Sequence, residues 1–223
     1  RKRAVETSRD RHLSAKEICR FWDCLDGAKM HEGTADILRL CLLLGLRVNE
    51  VAQAAKAEID LSAGIWTIPS ERTKNRRAHR LPIPAVSLAI IKRAFARQTH
   101  SRYLFPSPAK VTDEIMSNKA ATKAWVRSRG TAELDNTVHD LRRTFASVAG
   151  ELGFDDFHIG LVLNHLGERS KVTSIYNRAQ YDPQKRSVLE AVERRLFEFI
   201  ENPEQGAPVP LRSVLHRVSR RRG

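Results

Sequence analysis

Six side chains, in chain order Arg47, Lys74, His139, Arg142, His165 and Tyr176, are of the types that could together attack a phosphodiester. Guanidinium and imidazole groups can hold the non-bridging oxygens of a phosphate as charge builds on them. A lysine ammonium can protonate a departing alkoxide, and a phenol can attack phosphorus. That chemistry requires no metal ion and no organic cofactor. His139 and Arg142 are three residues apart, so on a helix they share a face and can approach one phosphate, while Leu141 between them turns to the core.

The elements that must position these groups are legible as patterns. Ser14 and Glu17 form a capping-box pair ahead of Ile18, Phe21, Trp22 and Leu25, which mark one face of a helix. Thr34 is placed to cap a second, leucine-rich helix ending at Gly45, which leaves Arg47 at the bend before a short helix with Val48, Glu50 and Val51. Short strands are expected at 59–61, 64–69 and 79–83, where alternation replaces the helical period. Between the last two lies a polar tip, 71–77, with Arg72, Lys74, Asn75, Arg76 and Arg77 and nothing apolar to bury. It predicts a basic hairpin facing solvent or a partner. Helical periodicity then places helices near 85–98, 117–129, 138–152, 156–164, 170–178 and 184–200. The expected fold is mainly α with a small antiparallel β-sheet.

Composition sets the class of partner. Lys and Arg number 39 against 26 Asp and Glu, a formal net charge of +13, so a polyanion is expected and nucleic acid leads. The longest apolar run, 40–44, is far below the ~20 residues that span a bilayer, so no membrane partner is expected. Cys19, Cys24 and Cys41 are odd in number and lack paired metal-site spacing, which fits a reducing, cytoplasmic setting. The chain opens on Arg1-Lys2-Arg3 and reads as a piece of a longer protein: a linker over 1–10, one domain over 11–200 and a basic tail over 201–223. That tail carries Arg212, Arg217, Arg220, Arg221 and Arg222 without an acid among them, either solvated or an accessory contact to phosphates or a neighbouring subunit.

A run of motifs then carries a resemblance: Leu44-Gly45-Leu46-Arg47-Val48-Asn49-Glu50-Val51, Glu71-Arg72-Thr73-Lys74-Asn75, His139-Asp140-Leu141-Arg142-Arg143-Thr144-Phe145, Leu163-Asn164-His165 and Ile175-Tyr176-Asn177-Arg178. In this order and separation they resemble the catalytic domain of a tyrosine recombinase, in particular phage and genomic-island integrases. The resemblance implies that Arg47 and Arg142 clamp the scissile phosphate, that Lys74 is the general acid, and that His139 and His165 support the transition state. It makes Tyr176 the nucleophile, ahead of Tyr103, which reads as a core or strand-edge aromatic, and Tyr181, which on a continuing helix would point away. Arg72, Arg76, Arg77 and Arg143 are the expected DNA contacts. One departure stands out, since Asn164 occupies a place where glycine is frequent in the family.

The resemblance further implies strand cleavage and rejoining through a covalent 3′-phosphotyrosine, on double-stranded DNA, by a homotetramer on paired sites; accessory DNA-bending proteins are compatible partners. The helix from Pro183 to Ile200 is then a candidate for docking on the next subunit, and a separate core-binding domain is expected ahead of the catalytic one. Two other readings compete: DNA relaxation of the type IB topoisomerase kind, and a DNA-binding domain that has lost its chemistry.

Overall fold

The computed structural model describes residues 11–97, 100–108, 114–165 and 180–204. Helix α1 (Ala15–Gly27) starts where the capping box predicts, with Ser14 N–H donating to Glu17 Oε2 at 2.9 Å and Glu17 N–H donating back to Ser14 Oγ. Its inner face is Ile18, Phe21 and Leu25, and Phe21 meets Trp125 edge-on at 5.0 Å. Helix α2 (Glu32–Leu44) begins two residues before Thr34. His31 is its cap, Nδ1 accepting from Gly33 N–H at 3.1 Å, while Thr34 is buried with its hydroxyl 3.3 Å from Met116 sulfur. The expected threonine cap is thus a core residue, because packing against Met116 decided where the first turn lies. Nearly every residue of α2 is buried, which makes it the central helix of the domain.

After α3 (Val48–Ala52) come three antiparallel strands in the order β1-β2-β3: Ile59–Asp60, Ile65–Ile68 and His79–Pro82. Trp66 pairs with Leu81 and Ile68 with His79. Strand β1 is shorter than expected because Asp60 turns the chain, its Oδ1 accepting from the N–H groups of Ser62 and Ala63 at 2.9 Å each. Helices α4 (Ala85–Arg97), α5 (Asn118–Ser128), α6 (Val138–Glu151) and α7 (Asp156–Val162) lie within two residues of their predicted bounds. The helix expected over 170–178 falls outside the described residues.

Helix α8 (Asp182–Glu201) packs on α1, α2, α6, α7 and β3 of its own chain. Val188, Leu189, Val192 and Leu196 are wholly buried there, each worth ~1.5–3 kcal/mol against exposure. Its buried Glu193 accepts from Val86 N–H, Ser87 N–H and Ser87 Oγ, satisfying the open first turn of α4. The apolar face of this helix is therefore spent on its own core. Against the expectation of a continuing helix, Tyr181 caps α8 at φ 55°, half-buried and edge-on to Phe157 at 5.6 Å. Tyr103 is half-buried in an isolated antiparallel bridge with Ala55, outside the three strands. Among the described residues no helix is long and apolar enough to cross a membrane.

Candidate active site

The Arg47 corner is built by glycine. Gly45 ends α2 at φ +61°, and a Cβ there would come within 2.8–2.9 Å of Phe145 and Leu163. A side chain would be excluded on both counts, so the chain reverses tightly and the ring of Phe145 packs into the space. Arg47 follows as the cap of α3. Glu50, only 2% exposed, accepts from Arg47 N–H and from Arg47 Nη1, both at 2.8 Å. It braces the corner and pairs with the guanidinium together, and among the described residues the other guanidinium donors of Arg47 have no partner.

Helix α6 supplies the second arginine. Thr137 and Asp140 close a capping box, Asp140 Oδ2 accepting from Thr137 N–H at 2.8 Å. One turn in, Arg142 points into the molecule: Nη1 donates to Gly45 O at 2.7 Å and Nη2 to Leu163 O at 2.5 Å. One guanidinium thus ties together the residue two before Arg47 and the residue two before His165. Burial first, and then the charge of Arg47, lower its pKa to about 10, so it remains a cation at neutral pH. Leu141 is wholly buried, as predicted. His139 lies exposed on the first turn. Loss of hydration and the charges of Arg143 and Arg142 hold its pKa below the ordinary histidine value, leaving a neutral imidazole that can accept a proton. Arg143, an expected DNA contact, is paired with Asp140 at 3.0 Å.

The hairpin tip divides into two kinds of arginine. Arg72 turns inward, its Nη2 donating to Glu58 Oε2 at 2.8 Å and to Glu50 O at 3.0 Å; the same Glu58 oxygen takes the Trp66 indole N–H. Arg72 thereby ties the hairpin base to the Arg47 corner. Lys74 and Arg76 are exposed and have no ion-pair partner among the described residues. The tip between them is ordered by its own contacts. The buried Thr73 hydroxyl accepts from Arg77 N–H at 3.1 Å and lies 2.8 Å from Arg77 O, and Arg76 turns the chain at φ 54°.

His165 follows α7 through Leu163 and Asn164, with Asn164 at φ 48°. Glycine adopts this left-handed conformation most readily, and asparagine tolerates it better than most other residues. His165 N–H donates to Gly160 O at 2.9 Å, and its side chain is exposed. Five of the six candidate residues thus stand on three neighbouring segments and a hairpin tied to them. Tyr176 lies outside the described residues.

A model of the phage integrase family matches residues 11–182 of the chain. The chain belongs to the phage integrase family. Prophage integrase IntA of Escherichia coli (strain K12) is 30% identical over 149 residues, 67% of this chain and 35% of IntA, so the chain spans about a third of that relative. The integrase from mycobacterium phage Brujita superimposes with a TM-score of 0.63 at 21% identity, over 89% of this chain and 65% of that one. A lambda integrase tetramer bound to a Holliday junction gives 0.59 at 17% identity, over 75% and 50%.

Within this integrase fold, sequence reasoning passed over His79 and Lys185. His79 is 2% exposed on β3, and among the described residues its ring makes no well-formed hydrogen bond, only a weak approach to the Leu161 backbone. Burial, helped by the charges of Lys185, Arg142 and Arg47, pushes its pKa down to about 3. Lys185, also buried, donates Nζ to Arg80 O at 2.8 Å, and burial lowers its pKa. The alternation of β3 was the available signal for His79, since Leu81 must face the core and position 79 faces the same way.

Proposed function

We propose that this integrase domain cleaves and rejoins DNA strands site-specifically, with Tyr176 as nucleophile. The observation that carries the reading is the Arg142 guanidinium bonded to Gly45 O and Leu163 O, which gathers the segments of Arg47, His139 and His165 around one position. In the proposed step the Tyr176 oxygen bonds to phosphorus as the bond to the 5′ oxygen breaks. Lys74 gives that oxygen its proton, and the neutral His139 takes the phenolic proton. Arg47, Arg142 and His165 hold the non-bridging oxygens. The 3′-phosphotyrosine keeps the energy of the phosphodiester, so rejoining is the reverse attack by a 5′ hydroxyl.

Double-stranded DNA is the proposed partner, supported by the +13 charge and by exposed Arg76 beside Lys74, with Arg77 as a further backbone contact. A homotetramer on paired sites is proposed by analogy with the lambda integrase tetramer, with accessory DNA-bending proteins as further partners. We take 11–200 as the catalytic domain, flanked by a linker and a basic tail. The test is a suicide substrate that traps the covalent adduct. Tyr176→Phe should form none while binding DNA as the parent does, since no charge is lost. An adduct formed by Tyr176→Phe assigns the nucleophile elsewhere.

A further inference from the structure

Asn75 and Asn164 face each other as a reciprocal amide pair. Asn75 Nδ2 donates to Asn164 Oδ1 at 2.9 Å and to Asn164 O at 3.0 Å, and Asn164 Nδ2 donates back to Asn75 Oδ1 at 3.2 Å. Asn164 Nδ2 also reaches Arg77 O at 3.4 Å. The two residues are 89 apart in sequence, yet each is the immediate neighbour of a candidate catalytic group: Asn75 follows Lys74, and Asn164 precedes His165.

Three features make this pair more than a surface contact. Asn164 occupies a left-handed position that glycine would fill without strain, so the amide is the property that distinguishes the residue there. Asn75 is fixed within the tip as well, since the Oδ1 that takes the Asn164 amide also accepts from Arg77 N–H at 3.2 Å, and the tip is closed by Thr73. A pull on Asn164 is therefore transmitted to the tip rather than absorbed by it. Finally, Asn75 is exposed and Asn164 half-buried, so these bonds compete with water and contribute little to overall stability. Geometry is where a weak bond counts, because misplacing a reacting group by ~1 Å can cost ~10²-fold in rate.

We infer that Asn75 and Asn164 are positioning residues that latch the hairpin tip to the His165 loop and so hold Lys74 where the leaving 5′ oxygen departs. The inference rests on the proposed role of Lys74 as general acid. Asn164→Gly removes the side-chain amide and suits the backbone; Asn75→Ala removes the pair from the other side.

The experiment is single-turnover cleavage by the full domain of ordinary DNA and of DNA whose 5′-bridging oxygen is sulfur, a leaving group that needs no proton. Asn164→Gly and Asn75→Ala should each slow ordinary DNA about tenfold, the size of one or two net hydrogen bonds. Both should cleave the sulfur substrate at a rate close to the parent's, and the double variant should be little slower than either single one. A purely structural role would slow both substrates alike, and that result overturns the latch, as does parental cleavage of ordinary DNA by both variants. Lys74→Ala run beside them separates the two levels. If sulfur rescues Lys74→Ala but not the asparagine variants, the latch fails and the acid stands. If sulfur does not rescue Lys74→Ala, the acid assignment fails and takes the latch with it.

Discussion

The two arginines and the lysine of the candidate site are held in opposite ways. Arg142 is 7% exposed and bonded to two backbone carbonyls, and Arg47 sits on a carboxylate that is itself buried. Lys74 and Arg76 stand in solvent on a tip whose link to His165 is a water-accessible amide pair. A phosphate clamp must present fixed donors as charge develops, so rigidity suits it. A proton donor must meet an oxygen that moves as its bond breaks, and the long exposed side chain of Lys74 allows that while the tip fixes the backbone it grows from.

Substituting within the buried half should give the largest effect. Arg142→Lys keeps the charge but cannot span Gly45 O and Leu163 O while offering further donors to a phosphate. Single-turnover cleavage should fall ~10²–10³-fold, with Arg47→Lys similarly impaired. Near-parental rates for both would reduce these arginines to bulk electrostatics and dissolve the contrast with the tip.

Gly45→Ala tests whether the corner is built by glycine. A methyl group would meet Phe145 and Leu163 and sit in a left-handed conformation, so denaturant unfolding should show a loss of about 2–4 kcal/mol. Because Arg142 bonds the Gly45 carbonyl, cleavage at low temperature should fall with it. A stable, active Gly45→Ala would mean the corner relaxes freely.

The buried half should also respond to acid. The folded pKa of His79, about 3, lies below its ordinary 6.5. The unfolded chain therefore takes up a proton that the folded chain refuses, and stability present above 6.5 is lost as pH falls from there toward 3. Near pH 5 the loss from this group is about 2 kcal/mol, and His79→Gln should remove that part of the pH dependence whatever its absolute stability. An unaltered acid limb would show that the imidazole is not held neutral.

The smallest effect separates neighbours on the hairpin. Arg76→Ala should reduce the magnitude of the slope of log affinity against log salt by ~0.9, the signature of one lost phosphate contact. Arg72→Ala should leave that slope alone and lower stability instead, since its partners are Glu58 and Glu50 O. The reverse pattern would exchange their roles.

Much of this was legible in the chain because it is local. The capping box at Ser14, the glycine that ends α2 and the inward Leu141 follow from spacings of three or four residues and from φ preferences. These act before any tertiary contact exists. What the tertiary structure decided are matters of partner choice between distant segments. Thr34 is a core residue and not a cap because Met116 lies against it, and Arg72 faces inward because Glu58 and the Glu50 carbonyl are there to receive it. Helix α8 buries its apolar face at home because α1, α6 and β3 present complementary surface, a matter that amphipathic period alone leaves open. The same holds for Asn164. Its type predicts tolerance of a left-handed turn, but only the fold brings Asn75 across 89 residues to meet its amide. A side chain's hydrogen-bonding capacity is written in its chemistry; which group satisfies it depends on what the folded backbone carries within about 3 Å.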